Sequence, residues 1–186
     1  QFPIEGLKQF VITQKNIPLM EDNLATGEML AVKHANGEDW WLITPRRNSN
    51  QFYIFRFTVD GITDTLSQTI GGLPPSNQEA LGQTTISPEG NLLVRYFPYN
   101  PAMLYDFNRA TGQFSNYRTV VIDFGAVWAF DGGCAISPNG RYLYIMALLK
   151  AYQFDLWADD ISATQTTVAE WDGFIGPIAI TFYRSQ

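Results

Sequence analysis

This chain of 186 residues is poor in the side chains on which many enzymes and most nucleic-acid binders depend. It has a single cysteine, Cys134, which excludes an internal disulfide framework and a multi-cysteine zinc site. Cys134 sits in Gly-Gly-Cys-Ala-Ile, a strand entry where a free cysteine packs as a small hydrophobe. It also has a single histidine, His34, so a Ser-His-Asp triad or a histidine-ligated metal would have to use that residue. His34 stands where a strand passes into a turn, a place that suits a structural hydrogen bond. Charged residues are only 16% of the chain, against about a quarter in ordinary globular proteins. The net charge is −6, and the basic residues are scattered, with Arg46-Arg47 the only adjacent pair. Nucleic-acid and anionic-membrane partners, which need a basic face, are therefore not expected. No apolar run approaches the ~20 residues that a membrane-spanning helix needs, so membrane insertion is not expected either. Sustained helical periodicity is missing as well.

What is present is β-type material: 46% hydrophobic and 15% aromatic residues, rich in Phe and Tyr. One turn recurs three times, as Ala35-Asn36-Gly37, Pro88-Glu89-Gly90 and Pro138-Asn139-Gly140, with the glycines 53 and 50 residues apart. Gly37, Gly90 and Gly140 are read as the positive-φ positions of tight hairpin turns. A short apolar segment precedes each turn: Met29 to Val32, Thr84 to Ile86, Cys134 to Ile136. A dense strand follows: Trp40 to Ile43, Leu92 to Tyr96, Tyr142 to Met146. A third strand comes after a kinked link (Phe52 to Phe57, Met103 to Phe107, Tyr152 to Leu156), and a weaker fourth closes each unit (Ile62 to Ile70, Phe114 to Val121, Thr166 to Trp171).

Four short antiparallel strands in a repeat of about fifty residues describe a propeller blade. The fold expected is all-β, a partial β-propeller of about three blades. A β-sandwich is the structural competitor, but it would not demand the same turn at a fixed period. The organisation read from the repeat is 1–28 as the end of a preceding blade and a connector, 29–75, 76–128 and 129–175 as blades, and 176–186 as the start of a further blade. Phe10 to Thr13 and Ile178 to Arg184 read as strands of those flanking units. Three blades are fewer than the four to eight of typical propellers, and an open arc leaves two apolar faces wet. Further blades of the same parent chain, or other copies, are the expected neighbours.

No catalytic set, metal site or cofactor site emerges. Asp106 and Asp155 recur in register at the place held by Arg56 in the first unit, which points to a role in the fold. Asp159-Asp160 lacks the spacing of a calcium loop. In Trp40-Trp41 strand alternation sends one ring into the core and one out, and core packing between blades is the reading for Trp128, Trp157 and Trp171 as well. Gly71 to Pro75 is a linker without the phosphate-cradle pattern. If the chain carries a binding rim, its residues are Arg46, Arg47, Asn48 and Asn50 in one loop and Tyr99 and Asn100 in another, because function gathers on loops held by rigid scaffolds.

Several segments resemble a family of secreted repeat proteins from Bacteroidota: Lys33 to Trp41, Asn48 to Tyr53, Ile86 to Gly90, Tyr152 to Trp157 and Val168 to Phe174. These are Trp-Asp-repeat-like propellers, often followed by a C-terminal domain for type IX secretion. The resemblance runs over residues 29–184 and implies a signal peptide before this segment, further blades and an extracellular or cell-surface location. It transfers no catalytic residue. The expectation is a non-enzymatic extracellular scaffold that binds a protein or a surface glycan. Two alternatives stand beside it: a propeller hydrolase or lactonase-like enzyme with a metal on the central axis, and a subunit of an extracellular fibre.

Overall fold

The structure is a computed structural model that describes residues 18–75, 81–125, 132–147 and 149–172. The expected strands at Phe10 to Thr13 and Ile178 to Arg184, and Trp128, lie outside these. The described residues form three four-stranded antiparallel sheets. The first contains β1 (Leu30–Lys33), β2 (Trp40–Pro45), β3 (Gln51–Thr58) and β4 (Gly61–Thr69). The second contains β5 (Gln83–Ile86), β6 (Leu92–Tyr96), β7 (Ala102–Asn108) and β8 (Gln113–Val120). The third contains β9 (Gly132–Ile136), β10 (Tyr142–Ala147), β11 (Lys150–Asp155) and β12 (Thr166–Glu170), with one 3₁₀ turn at Ser162–Thr164. In every sheet sequential neighbours pair, so each is an up-and-down meander. The opening strand β5 lies beside both β1 and β9. Sheets that meet along their first strands and pack face to face form a segment of a β-propeller.

The same closure makes each first hairpin. The N–H of His34 donates to the carbonyl of Asp39 (2.9 Å), Ser87 to Leu92 (2.8 Å) and Ser137 to Tyr142 (2.8 Å). Inside each turn the glycine N–H returns to the carbonyl three residues back, and Gly37, Gly90 and Gly140 hold φ of 77°, 72° and 72°. That is the left-handed region, where a Cβ is strained.

Period-2 alternation decides which face packs where. From the first blade Val32, Trp41, Ile43, Phe52 and Ile54 point at the second, and meet Leu93, Phe97, Met103, Tyr105, Phe107 and Phe114. From the other face of the second blade Leu92, Val94, Tyr96, Ala102, Leu104 and Val120 meet Cys134, Leu143, Ile145, Ala147, Tyr152 and Phe154 of the third. The middle blade is thus apolar on both sides, and every residue of β6 is buried. The flanking blades bury chiefly the side that meets the middle one, although Phe55 and Thr44 are also buried in the first blade. On the outward face of the first, Ala31, Trp40, Leu42 and Phe57 line an apolar hollow of about 330 Å³.

Trp41 and Trp40 follow the alternation: Trp41 is 2% exposed and Trp40 is 47% exposed. Trp157 departs from the expected core packing, with 67% of its surface open, and Trp171 is 43% exposed. The reason is local. Trp157 follows the end of β11, where the pleat no longer assigns it a face, and Trp171 follows the fully exposed edge strand β12.

Candidate functional site

The two ends of the blades are built differently. One end carries the Gly turns and the links between third and fourth strands. The other carries the links between second and third strands, where the six rim-loop residues lie.

At the rim end, Arg46 forms an ion pair with Asp22 (3.0 Å), and the N–H of Arg47 donates to the carbonyl of Asn23 (2.8 Å). Asp22 also accepts from the Tyr53 hydroxyl, and that bond, before the Arg46 charge, holds its carboxyl below the usual range. Asn50 Nδ2 donates to the carbonyl of Gly71 (2.7 Å), and Asn100 Nδ2 to that of Pro98 (2.7 Å). Asn48 and Tyr99 both sit three residues past the end of a second strand, with φ of 52° and 61°. For a residue as bulky as Tyr this is a strained conformation. The Tyr99 ring stands 6.0 Å from that of Phe124, edge to face. The structure places the six residues at one end of their blades, each tied to its own neighbourhood.

At the turn end, one guanidinium–carboxylate pair recurs per blade. Arg56 pairs with Asp39 (2.8 Å) and Asp64 (3.3 Å), Arg118 with Asp106 (2.7 Å) and Arg141 with Asp155 (2.7 Å). Arg56, Asp106 and Asp155 stand opposite Trp41, Leu92 and Tyr142 at the start of each second strand. Hydrogen bonds from the partner arginines hold the carboxyls of Asp39 and Asp155 below their usual range. These pairs tie neighbouring strands, and the turn before the second strand, together within a blade, so the recurring acids serve the fold.

His34 closes the seam between the first two blades. Its Nδ1 accepts from the N–H of Asn36 (3.0 Å) and its Nε2 donates to the carbonyl of Ala110 (3.2 Å). Trp41 Nε1 donates to the carbonyl of Arg109 (2.7 Å), and the N–H of Ala35 to the same oxygen (3.1 Å). The equivalent of His34 in the second blade is Ser87, whose Oγ turns back to its own loop, accepting from the N–H groups of Asn91 (3.2 Å) and Leu92 (3.1 Å). Too short to cross, it leaves the next seam open. A groove of about 760 Å³ lies there, lined among others by Asn91, Asn108, Asn139, Arg118 and Trp157. The Arg141 guanidinium sits 5.1 Å from the Tyr142 ring and 5.3 Å from that of Trp157. It holds the indole in place while most of the ring stays open. Sequence reasoning missed this groove, because it depends on which side chain faces a neighbouring blade.

A buried polar group lies between the first two blades. Glu28 takes Arg95 Nε at 2.6 Å, Nη2 at 3.2 Å and the Thr84 hydroxyl at 2.8 Å, and both charged side chains are 0% exposed. The guanidinium lies between the rings of Phe52 (5.4 Å) and Phe97 (5.2 Å). Cys134 is buried, and desolvation pushes its thiol up to about 12, so it holds no reactive thiolate at neutral pH. Among the described residues no three His, Cys, Asp or Glu side chains gather as a metal site.

No protein-family model matches the chain, and no curated protein matches it. Among solved structures, the chain is similar to the PQQ domain of pyranose dehydrogenase from Coprinopsis cinerea, at 13% identity and a TM-score of 0.53, over 81% of this chain and 39% of that one. It is also similar to a candidate 6-phosphogluconolactonase from Bacteroides fragilis, at 17% identity and a TM-score of 0.50, over 80% of this chain and 40% of that one. A protein from Lactobacillus plantarum matches at 13% identity and a TM-score of 0.51, over 76% and 40%. The chain spans about two-fifths of the length of these structures. At such identities the likeness shows a shared fold and nothing finer.

Proposed function

We propose that this chain is part of an extracellular or cell-surface β-propeller that works as a binding scaffold for a protein or a surface glycan, without chemistry of its own. The observation that carries the reading is the use of charge. The recurring acids are bound to arginines of their own blade at the turn end, and the sole histidine is engaged at a seam. A general acid or base needs a carboxyl or imidazole directed at a substrate, and these are directed at the fold. An open groove and a set of structured loops remain for recognition. The resemblance to secreted Bacteroidota propellers with type IX sorting domains supports the location.

The rival reading is a lactonase-like hydrolase with a metal on the propeller axis. Its support is the fold shared with the candidate lactonase of B. fragilis. One experiment separates the two. The full-length parent protein is incubated with gluconolactone and 6-phosphogluconolactone, with and without added calcium or zinc, and surface exposure is followed by protease accessibility on whole cells. The scaffold reading expects no turnover above the spontaneous rate and a protease-sensitive surface protein. Metal-dependent lactone hydrolysis, or a protein protected inside the cell, overturns it.

A further inference from the structure

We propose that the groove between the second and third blades is a carbohydrate site, which takes a neutral pyranose ring stacked on Trp157 and hydrogen-bonded by Asn91, Asn108 and Asn139. This deepens the scaffold reading and rests on it.

Three observations carry the inference. The first is the platform. Trp157 is 67% exposed, more than any other aromatic residue among those described, and it is not loose. Its backbone N–H donates to Asp155 Oδ1 (3.0 Å), and Arg141, fixed by Asp155, lies against its ring. A large indole held rigid at the wall of a groove is a stacking surface whose ordering cost was met on folding.

The second is the array of donors. Each asparagine uses its side-chain oxygen inside its own turn. Asn108 Oδ1 accepts from the N–H groups of Ala110 (2.9 Å) and Thr111 (3.3 Å). Asn139 Oδ1 accepts from the N–H of Arg141 (3.2 Å) and the Ser137 hydroxyl. Ser87 Oγ already accepts two backbone N–H groups, so its hydroxyl hydrogen goes to Asn91 Oδ1 (2.9 Å). These bonds settle which end of each amide is oxygen. The Nδ2 groups of all three take no partner among the described residues. Fixed amide donors beside an aromatic face match a ring that is apolar on its C–H face and rich in hydroxyl acceptors at its edge.

The third is charge. Arg109 and Arg118 line the groove together with Glu89 and Asp106, so the formal charges cancel. Arg118 is already paired with Asp106. A phosphorylated or nucleotide ligand finds no net cation there, and the chain as a whole carries −6. A neutral hexose oligomer meets no such penalty. The groove's volume of about 760 Å³ accommodates more than one sugar ring.

The test uses the full chain and four probes: maltohexaose, cellohexaose, mannohexaose and xylohexaose. Binding is read by titration calorimetry and by quenching of tryptophan fluorescence. The expected result is saturable binding of at least one probe. Trp157→Ala should weaken it about ten-fold, the upper range for an aromatic contact. Asn139→Asp and Asn108→Asp keep the oxygen that closes each turn and remove the donor, and should each weaken it about three- to ten-fold. Unchanged melting temperatures in all three variants would place the losses at the site and not in the fold. Failure of every probe to bind overturns the proposal, as does binding that survives both Trp157→Ala and Asn139→Asp. A random uncharged peptide library that binds in a Trp157-dependent way, where no oligosaccharide does, also overturns it and leaves the scaffold reading standing. Release of new reducing ends from a bound probe would sink the scaffold reading instead.

Discussion

The middle blade and its two neighbours are copies of one pattern in different company. The second blade is covered on both faces, and β6 and the first four residues of β7 have no exposed side. The first and third blades keep the alternation of a half-buried sheet, with Trp40 and Met146 facing away from the shared cores. The recurring ion pairs do not follow this difference: Arg118 of the middle blade keeps 33% of its side chain in water, against 30% for Arg56 and 41% for Arg141. The wholly buried pair is Arg95 with Glu28, which spans the seam between the first two blades. A repeat therefore specifies strands and turns, while its neighbours specify how much each position is worth. Repeat stability is a sum of units and the interfaces between them.

Breaking the buried pair should have the largest effect. Glu28→Ala leaves Arg95 charged and dry between Phe52 and Phe97, and should cost about 3–5 kcal/mol in urea unfolding. Arg141→Ala on the flanking blade should barely move the midpoint, since its pair is open to solvent. Equal shifts for the two would mean that burial does not set the strength of these pairs. Next in size is the core. Leu104→Ala, at 0% exposure in the middle blade, should cost about 2–5 kcal/mol. Met146→Ala, on the outward face of the third, should stay within about 0.5 kcal/mol. A large loss at Met146 would show that something covers that face.

The turns sharpen the contrast at fixed chemistry. Gly90→Ala and Gly140→Ala meet the same φ of 72°, which costs about 1–2 kcal/mol. At Gly90 the new Cβ would also lie 2.5 Å from Val32 Cγ2 of the neighbouring blade, while at Gly140 nothing lies within 4 Å. Gly90→Ala should be the worse of the two in thermal melts, and the reverse order would discount the seam contact. The mildest effect is alkaline. Burial raises the Cys134 thiol from 9.0 to about 12 and the Tyr105 phenol from 10.0 to about 12. Both are stable as neutral groups in the fold and ionise first in the unfolded chain. Their contribution is intact below pH 9 and is lost as pH rises toward 12. Denaturant midpoints across that window should fall, and Cys134 should react with a thiol reagent only once the chain unfolds. Rapid reaction at pH 8 in the native state would contradict its burial.

Much of the fold was legible because its signals are local. A turn glycine, a period of two and a recurrence near fifty residues all lie within a few residues of each strand, and they led to the blades without tertiary knowledge. The site was less legible. His34 and Ser87 hold the same place in their turns, and only their partners show that one reaches Ala110 of the next blade while the other turns back to its own loop beside the groove. Trp157 groups with the core tryptophans in sequence because the apolar run continues through Leu156, but β11 ends at Asp155 and alternation no longer applies beyond it.

The sequence by itself determined four short strands per unit, the turns that join them and a supply of one histidine and one cysteine. The strands and turns follow from backbone preference and residue chemistry, which act over short range. Only the tertiary structure decided that the middle blade is buried on both faces, that Glu28 meets Arg95 across 67 positions of sequence, and that a groove opens beside Trp157. Those outcomes depend on which blade stands next to which. Packing between sheets is a long-range contact, set by the neighbour's side chains as much as by a residue's own.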